Sequence, residues 1–89
     1  MTEDKLIKQT ERGRKAEILL KDELLVEAFE ELKKEFISAW QETKLGQSEE
    51  RERLYNLCQS LDALKQYLDN IVQNGRFADK QLNEIRGIK

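Results

Sequence analysis

The chain has 89 residues, of which 38% are charged. It contains no proline, and its formal net charge is -2. This composition is typical of one small domain built from long solvated helices. Histidine, the commonest general base and metal ligand, is absent, and the single cysteine, Cys58, excludes an intramolecular disulfide and a cysteine-based zinc site. We therefore expect no catalytic residues, no cofactor and no metal.

Charge is distributed unevenly along the chain. Residues 5–15 carry a net +4, residues 16–75 a net -6 and residues 76–89 a net +2, so an acidic body lies between two basic ends. The amino terminus is polar, and no apolar run approaches the ~20 residues that span a bilayer. We expect no membrane segment and a cytoplasmic location, in the host cell if the chain is viral.

Residues 1–21 are predicted to form a basic N-terminal helix or arm. Leu6 and Ile7 are followed by ten residues whose only apolar side chain is Ala16. Gly13 lies in the middle of this stretch, where glycine costs ~1 kcal/mol relative to alanine in a helix. We expect this part to fray or to become ordered only against a partner.

Residues 22–75 carry the strongest pattern, that of a long antiparallel helical hairpin with its turn at residues 44–47. Asp22 is a good N-cap, although the pattern also allows a helix to continue straight through it. Both halves have apolar residues every three or four positions, as along a coiled-coil seam. The first half has Leu25, Phe29, Leu32, Phe36 and Trp40, and the second has Leu54, Leu57, Leu61, Leu64, Leu68 and Ile71.

Capping signals predict where the second helix of the hairpin begins and ends, and therefore where the tail starts. Ser48 is expected to cap that helix, and Asn74-Gly75 is expected to end it in the left-handed conformation. Residues 76–89 would then form a short helix or a basic tail. The carboxylates are predicted to form surface ion pairs along the helices, namely Glu30–Lys33, Glu31–Lys34 and Glu49–Arg53.

A hairpin of this size buries little surface, so the fold class predicted is all-α, with an additional N-terminal helix and oligomerisation through the helical face. Surplus apolar side chains beside the seam could pack on the first helix in a three-helix bundle, or on a neighbouring subunit. Because the first helix has few apolar residues, we expect a homo-oligomer or a stable partner. The candidate interface residues are Leu24, Ile37, Trp40, Tyr55, Tyr67 and Val72.

The first basic segment is the candidate nucleic-acid contact. On a helix, Lys8, Arg12 and Lys15 share one face, and Arg14 is nearby. These residues could be a solvated face or could bind phosphates. The long helices differ from a helix-turn-helix, which needs short helices at a steep angle.

The segment RERLYNLCQSLDALKQYLDNIVQNGR, preceded by LLVEAFEELKKEFISAWQETK, resembles small helical proteins of tailed bacteriophages. Within these, it is similar to the oligomerisation core of small terminase subunits. The resemblance implies a ring that binds double-stranded viral DNA and the large terminase subunit during genome packaging. We expect no amino-terminal helix-turn-helix of the kind that many such subunits carry, so any DNA contact would come from Lys8 to Lys15 or from the tail. The alternatives are a helical adaptor or inhibitor of phage origin, and a minor structural or scaffolding component of the virion.

Overall fold

The computed structural model describes residues 2–87, and all regular structure in that range is helical. Three helices follow one another in the chain, α1 (Glu3–Lys21), α2 (Glu23–Gln41) and α3 (Ser48–Ile85). The molecule is an extended rod of 62 × 26 × 17 Å. The rod follows from the 38 residues of α3, because an α-helix rises ~1.5 Å per residue.

Asp22 alone separates α1 from α2. Its backbone is extended, with φ -66° and ψ 122°, and its carboxylate accepts a hydrogen bond of 2.9 Å from the Leu25 N–H. Its own N–H donates to the carbonyl of Leu19 at 3.2 Å. This geometry confirms Asp22 as the N-cap of α2 and excludes a helix that continues through it. α1 and α2 are therefore two separate helices in series.

The C-terminal part of α3 packs along α1, with contacts in reverse chain order. Leu6, near the start of α1, is 1% exposed and lies in a cluster with Ala78 and Leu82. Further along, Gly13 touches Gly75. Within residues 2–87, all the buried side chains other than Leu54 belong to this contact, namely Leu6, Thr10, Ala16, Val72, Ala78 and Leu82.

The closest approach of the two helices is at Gly13 and Gly75. A β-carbon on Gly13 would lie 2.7 Å from the Gly75 Cα, and one on Gly75 would lie 2.6 Å from the Gly13 Cα. The prediction that the first part of residues 1–21 frays or becomes ordered only against a partner was wrong, because small residues let the two backbones approach and bury one side of each helix. Packing of this kind outweighs the unfavourable helix propensity of glycine.

The same contact explains why α3 does not end at Asn74-Gly75. Gly75 lies within the helix, and the glycines with positive φ among residues 2–87 are Gly46 (95°) and Gly87 (70°). The predicted stop at Gly75 and the separate helix after it were therefore wrong. α3 runs on to Ile85 and is capped at Arg86. Ile88 and Lys89 of the predicted tail lie outside the described residues.

Contacts between α2 and the first half of α3 are much sparser. Lys33 Nζ lies 3.1 Å from Asp62 Oδ1, and the Arg51 guanidinium lies 4.7 Å from the centre of the Trp40 ring. Leu54 is buried, but Leu64 of the same predicted seam is 51% exposed. No residue of α2 is buried. The seam predicted from the leucine pattern is only partly covered by this chain.

The loop from residue 42 to residue 47 joins α2 to α3. The Gln47 side-chain oxygen accepts a hydrogen bond of 2.7 Å from the Lys44 N–H, and Gly46 has the positive φ of the turn. Gln47 is the N-cap residue of α3, with no side-chain capping hydrogen bond, so the predicted cap at Ser48 was wrong. Ser48 is instead the first residue of the helix.

Candidate nucleic-acid and protein interfaces

The fold brings the two basic segments of the sequence together at one end of the rod. Residues 2–21 and 70–87, which pack on each other, contain nine basic and six acidic residues, for a net +3. Residues 22–69 contain six basic and twelve acidic residues, for a net -6. The rod is therefore a charge dipole with one basic half and one acidic half.

Three arginines of the basic half join α1 to α3. Arg86 Nε lies 2.9 Å from Glu3 Oε1, and an Arg76 nitrogen lies 3.0 Å from Glu17 Oε1. A weaker pair, at 3.9 Å, joins Arg14 to Asp79. Hydrogen bonds from Lys21 and then Arg76 lower the pKa of the Glu17 carboxyl below its ordinary value. These cations have partners within the molecule.

Lys8, Arg12 and Lys15 are exposed on the side of α1 that faces away from α3. Their spacing of four and three residues places them in one row, opposite the buried positions of the same helix. Within residues 2–87, none of the three takes part in an ion pair. The structure separates them from Arg14, which points towards Asp79. The candidate phosphate contact thus reduces to three residues.

Five of the six candidate interface residues are exposed. Leu24 is the most exposed at 73%, and Tyr55 and Tyr67 are also well exposed. The sixth, Val72, is only 5% exposed, because it lies beneath α1 near Gly13 and Gly75. Val72 is therefore a core residue, and its prediction as an interface residue was wrong.

An apolar groove lies between α2 and α3 near the turn. Its volume is about 270 Å³. Cys58 is a half-buried free thiol in its wall. Two candidate interface residues from α2 and one from α3 meet here. The residues lining the groove are Lys33, Ile37, Trp40, Leu54, Tyr55 and Cys58.

A second groove lies at the middle of the rod, beside the break at Asp22. It has a volume of about 230 Å³, an apolar floor and a charged rim. The sequence analysis missed this site, although the run Ile18-Leu19-Leu20, which ends two residues before the Asp22 cap, was a signal for it. Its lining residues are Leu19, Leu20, Leu25, Val26, Phe29, Glu30, Lys65 and Asp69.

Three further carboxylates, Glu31, Glu50 and Asp62, lie in surface ion pairs. Glu31 and Lys34 form the predicted pair at 3.8 Å, whereas Arg53 pairs with Glu50 rather than with Glu49. A hydrogen bond from Arg53 lowers the pKa of Glu50. Lys33 pairs with Asp62 of α3 rather than with Glu30.

Neither a metal site nor a membrane span is present in the described part of the chain. Residues 2–87 contain no group of three or more acidic or cysteine side chains that could hold a metal ion. No helix in the same range is long and apolar enough to cross a bilayer.

A comparison of the chain with protein-family models, curated proteins and solved structures finds no match. The resemblance to small terminase subunits stays a prediction.

Proposed function

We propose that the chain is a non-enzymatic helical protein that self-associates and contacts DNA through its basic end, as the small terminase subunits it resembles do. The observation that carries the proposal is the row of Lys8, Arg12 and Lys15 on the outward side of α1. Their partners would be phosphates of double-stranded DNA. In genome packaging, the large terminase subunit would be the second macromolecular partner.

The packing of α1 favours binding over simple solvation. Because α1 is fixed to α3 at Gly13 and Gly75 and by the Glu17–Arg76 ion pair, the three cations are held in one row. A fixed row loses less conformational entropy on binding than a frayed arm would. One copy offers few phosphate contacts, so useful affinity requires several copies that act together.

The acidic half supplies the surface for self-association. The proposed antiparallel hairpin of residues 22–75 leaves Leu24, Ile37 and Trp40 of α2 exposed, and no residue of α2 is buried. An apolar helix face of this kind is stable when another layer covers it. Neighbouring copies would provide that layer.

The test is the double variant Lys8→Glu/Lys15→Glu, measured by DNA binding at low salt. Affinity should fall by about tenfold or more, because each phosphate contact becomes a repulsion. The matched control is Lys34→Glu/Lys44→Glu, which changes the net charge equally but lies in the acidic half. Equal losses in both variants, or no DNA binding by the wild type, would contradict the proposal.

The apolar groove near the turn supports a second candidate, a helical adaptor or inhibitor. A groove lined by Ile37, Trp40 and Tyr55 has the chemistry that receives the apolar face of a partner helix. Native mass spectrometry separates the two. A ring of eight or more subunits that binds DNA supports the terminase function, and a dimer that ignores DNA supports the adaptor.

A further inference from the structure

The mid-rod groove lies beside the middle of α3. α3 runs from Ser48 to Ile85, and two of the groove's charged residues, Lys65 and Asp69, lie on either side of its midpoint. They are four residues apart, so they are neighbours along one side of the helix. If a second copy were related by a two-fold axis between them, perpendicular to α3, the basic half of one copy would lie beside the acidic half of the other.

Lys65 and Asp69 are available for such a contact. Neither takes part in an ion pair within residues 2–87, although their spacing would allow them to pair with each other. Both line an open apolar groove. In addition, Leu19 and Val26 at the same groove are 49% and 39% exposed. The groove therefore has apolar surface to bury and two opposite charges to match.

We propose that this groove is the docking site for a second copy of the chain in antiparallel orientation. Lys65 of each copy lies opposite Asp69 of the second copy, so the two ion pairs are reciprocal, as a two-fold interface requires. Leu19 and Val26 of both copies close the apolar part of the contact. The inference deepens the self-association in the proposed function and is independent of DNA binding.

The charge of the two halves selects the antiparallel orientation. A parallel pair would bring a net -6 against a net -6, whereas the antiparallel pair brings each -6 half against a +3 half. The row of Lys8, Arg12 and Lys15 lies on α1, on the amino-terminal side of the groove residue Leu19. The pair therefore carries one such row towards each of its ends. A ring would need a further contact, because a two-fold interface closes on itself.

Charge reversal at the two rim residues tests the contact by sedimentation equilibrium. Lys65→Glu leaves two carboxylates opposite each other at each contact, and Asp69→Lys leaves two ammonium groups. Each single variant should raise the dimer dissociation constant by about tenfold or more. The matched control, Lys34→Glu, lies on the exposed side of α2 and should leave the constant unchanged.

Two complementations identify the reciprocal geometry. The double variant Lys65→Glu/Asp69→Lys restores both ion pairs with reversed polarity, so its dissociation constant should return towards that of the wild type. An equimolar mixture of the two single variants should form a heterodimer, because both contacts then join opposite charges. In one contact the introduced glutamate faces the introduced lysine, and in the other Lys65 faces Asp69. A third variant, Val26→Glu, should weaken the dimer while circular dichroism shows unchanged helicity, because Val26 is partly exposed.

The proposal is overturned if the wild type is a monomer, if both single variants associate as the wild type does, or if neither complementation restores association. A groove that binds another protein's helix while the wild type stays monomeric would also overturn it. A dimer with the expected complementation but no DNA binding leaves this inference intact and removes the proposed function. If the protein forms DNA-binding rings that Lys65→Glu does not weaken, the proposed function stands and the groove is not the contact between copies.

Discussion

Gly13 of α1 and Gly75 of α3 are in direct backbone contact, with so little space between them that a β-carbon on either would lie within 2.7 Å of the other's Cα. This crossing fixes α1 on α3 and places the buried Leu6 against Ala78 and Leu82. The sequence predicted fraying for the first part of residues 1–21, and the structure buries Leu6, Thr10 and Ala16 of this segment.

The first prediction concerns this crossing. Gly75→Ala should destabilise the protein by about 1–3 kcal/mol, because the added methyl group overlaps the Gly13 backbone and the helices must separate. Alanine is the better helix former by about 1 kcal/mol, so helix propensity alone predicts the opposite sign. Urea unfolding followed by circular dichroism measures the difference. Equal or increased stability would show that the helices can move apart without loss.

The second prediction compares two leucines, Leu6 and Leu64, whose relative contributions to stability could not be predicted from the sequence. Leu6→Ala should cost about 2–5 kcal/mol, because Leu6 is 1% exposed and its removal leaves a cavity against α3. Leu64→Ala should cost about 1 kcal/mol, because that side chain is half exposed in the single chain. Both are measured by thermal unfolding under conditions in which the protein is monomeric. A larger loss at Leu64 would place the main core in the predicted hairpin.

The third prediction follows from the lowered pKa of Glu17. A carboxyl whose pKa is lower in the folded state contributes stability above its unfolded pKa and loses that contribution as the pH falls through the folded value. The wild type should therefore lose stability as the pH falls below about 4.5, through the loss of the hydrogen bonds from Lys21 and Arg76.

Glu17→Gln removes this dependence in part. The variant should be less stable than the wild type at neutral pH, and the difference should shrink as the pH is lowered. Thermal unfolding of both proteins at pH 7 and pH 3 gives the comparison. A constant difference across this range would mean that the Glu17 charge does not stabilise the contact between α1 and α3.

The fourth prediction concerns the salt dependence of DNA binding. For double-stranded DNA, the logarithm of affinity falls with the logarithm of salt concentration at a slope near -0.9 per neutralised phosphate. Lys8→Glu, Arg12→Glu and Lys15→Glu together should abolish most of the binding and flatten the slope. Sedimentation at the protein concentration of the binding assay should show that the assembly persists, although it is weakened because the basic half changes from a net +3 to a net -3. A slope equal to that of the wild type would mean that DNA binds elsewhere.

Parts of the candidate site could be predicted from the sequence because they depend on neighbouring residues. The row of Lys8, Arg12 and Lys15 needs only helical spacing, and the cap at Asp22 needs only the residues that follow it. The separation of Arg14 from that row, and the burial of Val72, could not be predicted, because both depend on which residues of α3 lie opposite α1.

By itself, the sequence determined the all-helical character and the turn before Ser48, since periodicity and turn chemistry act over a few residues. It gave the break at Asp22 as one of two possibilities, and the structure decided between them. Only the tertiary structure decided that α3 continues through Gly75, because that depends on the contact with Gly13, sixty-two positions earlier. From the neighbouring residues alone, a glycine in a helix is expected to be destabilising, because its helix propensity is low. Where two helices cross, the missing side chain lets their backbones meet, and the packing gained exceeds the propensity lost. The same crossing joined the two basic segments into one end of the rod.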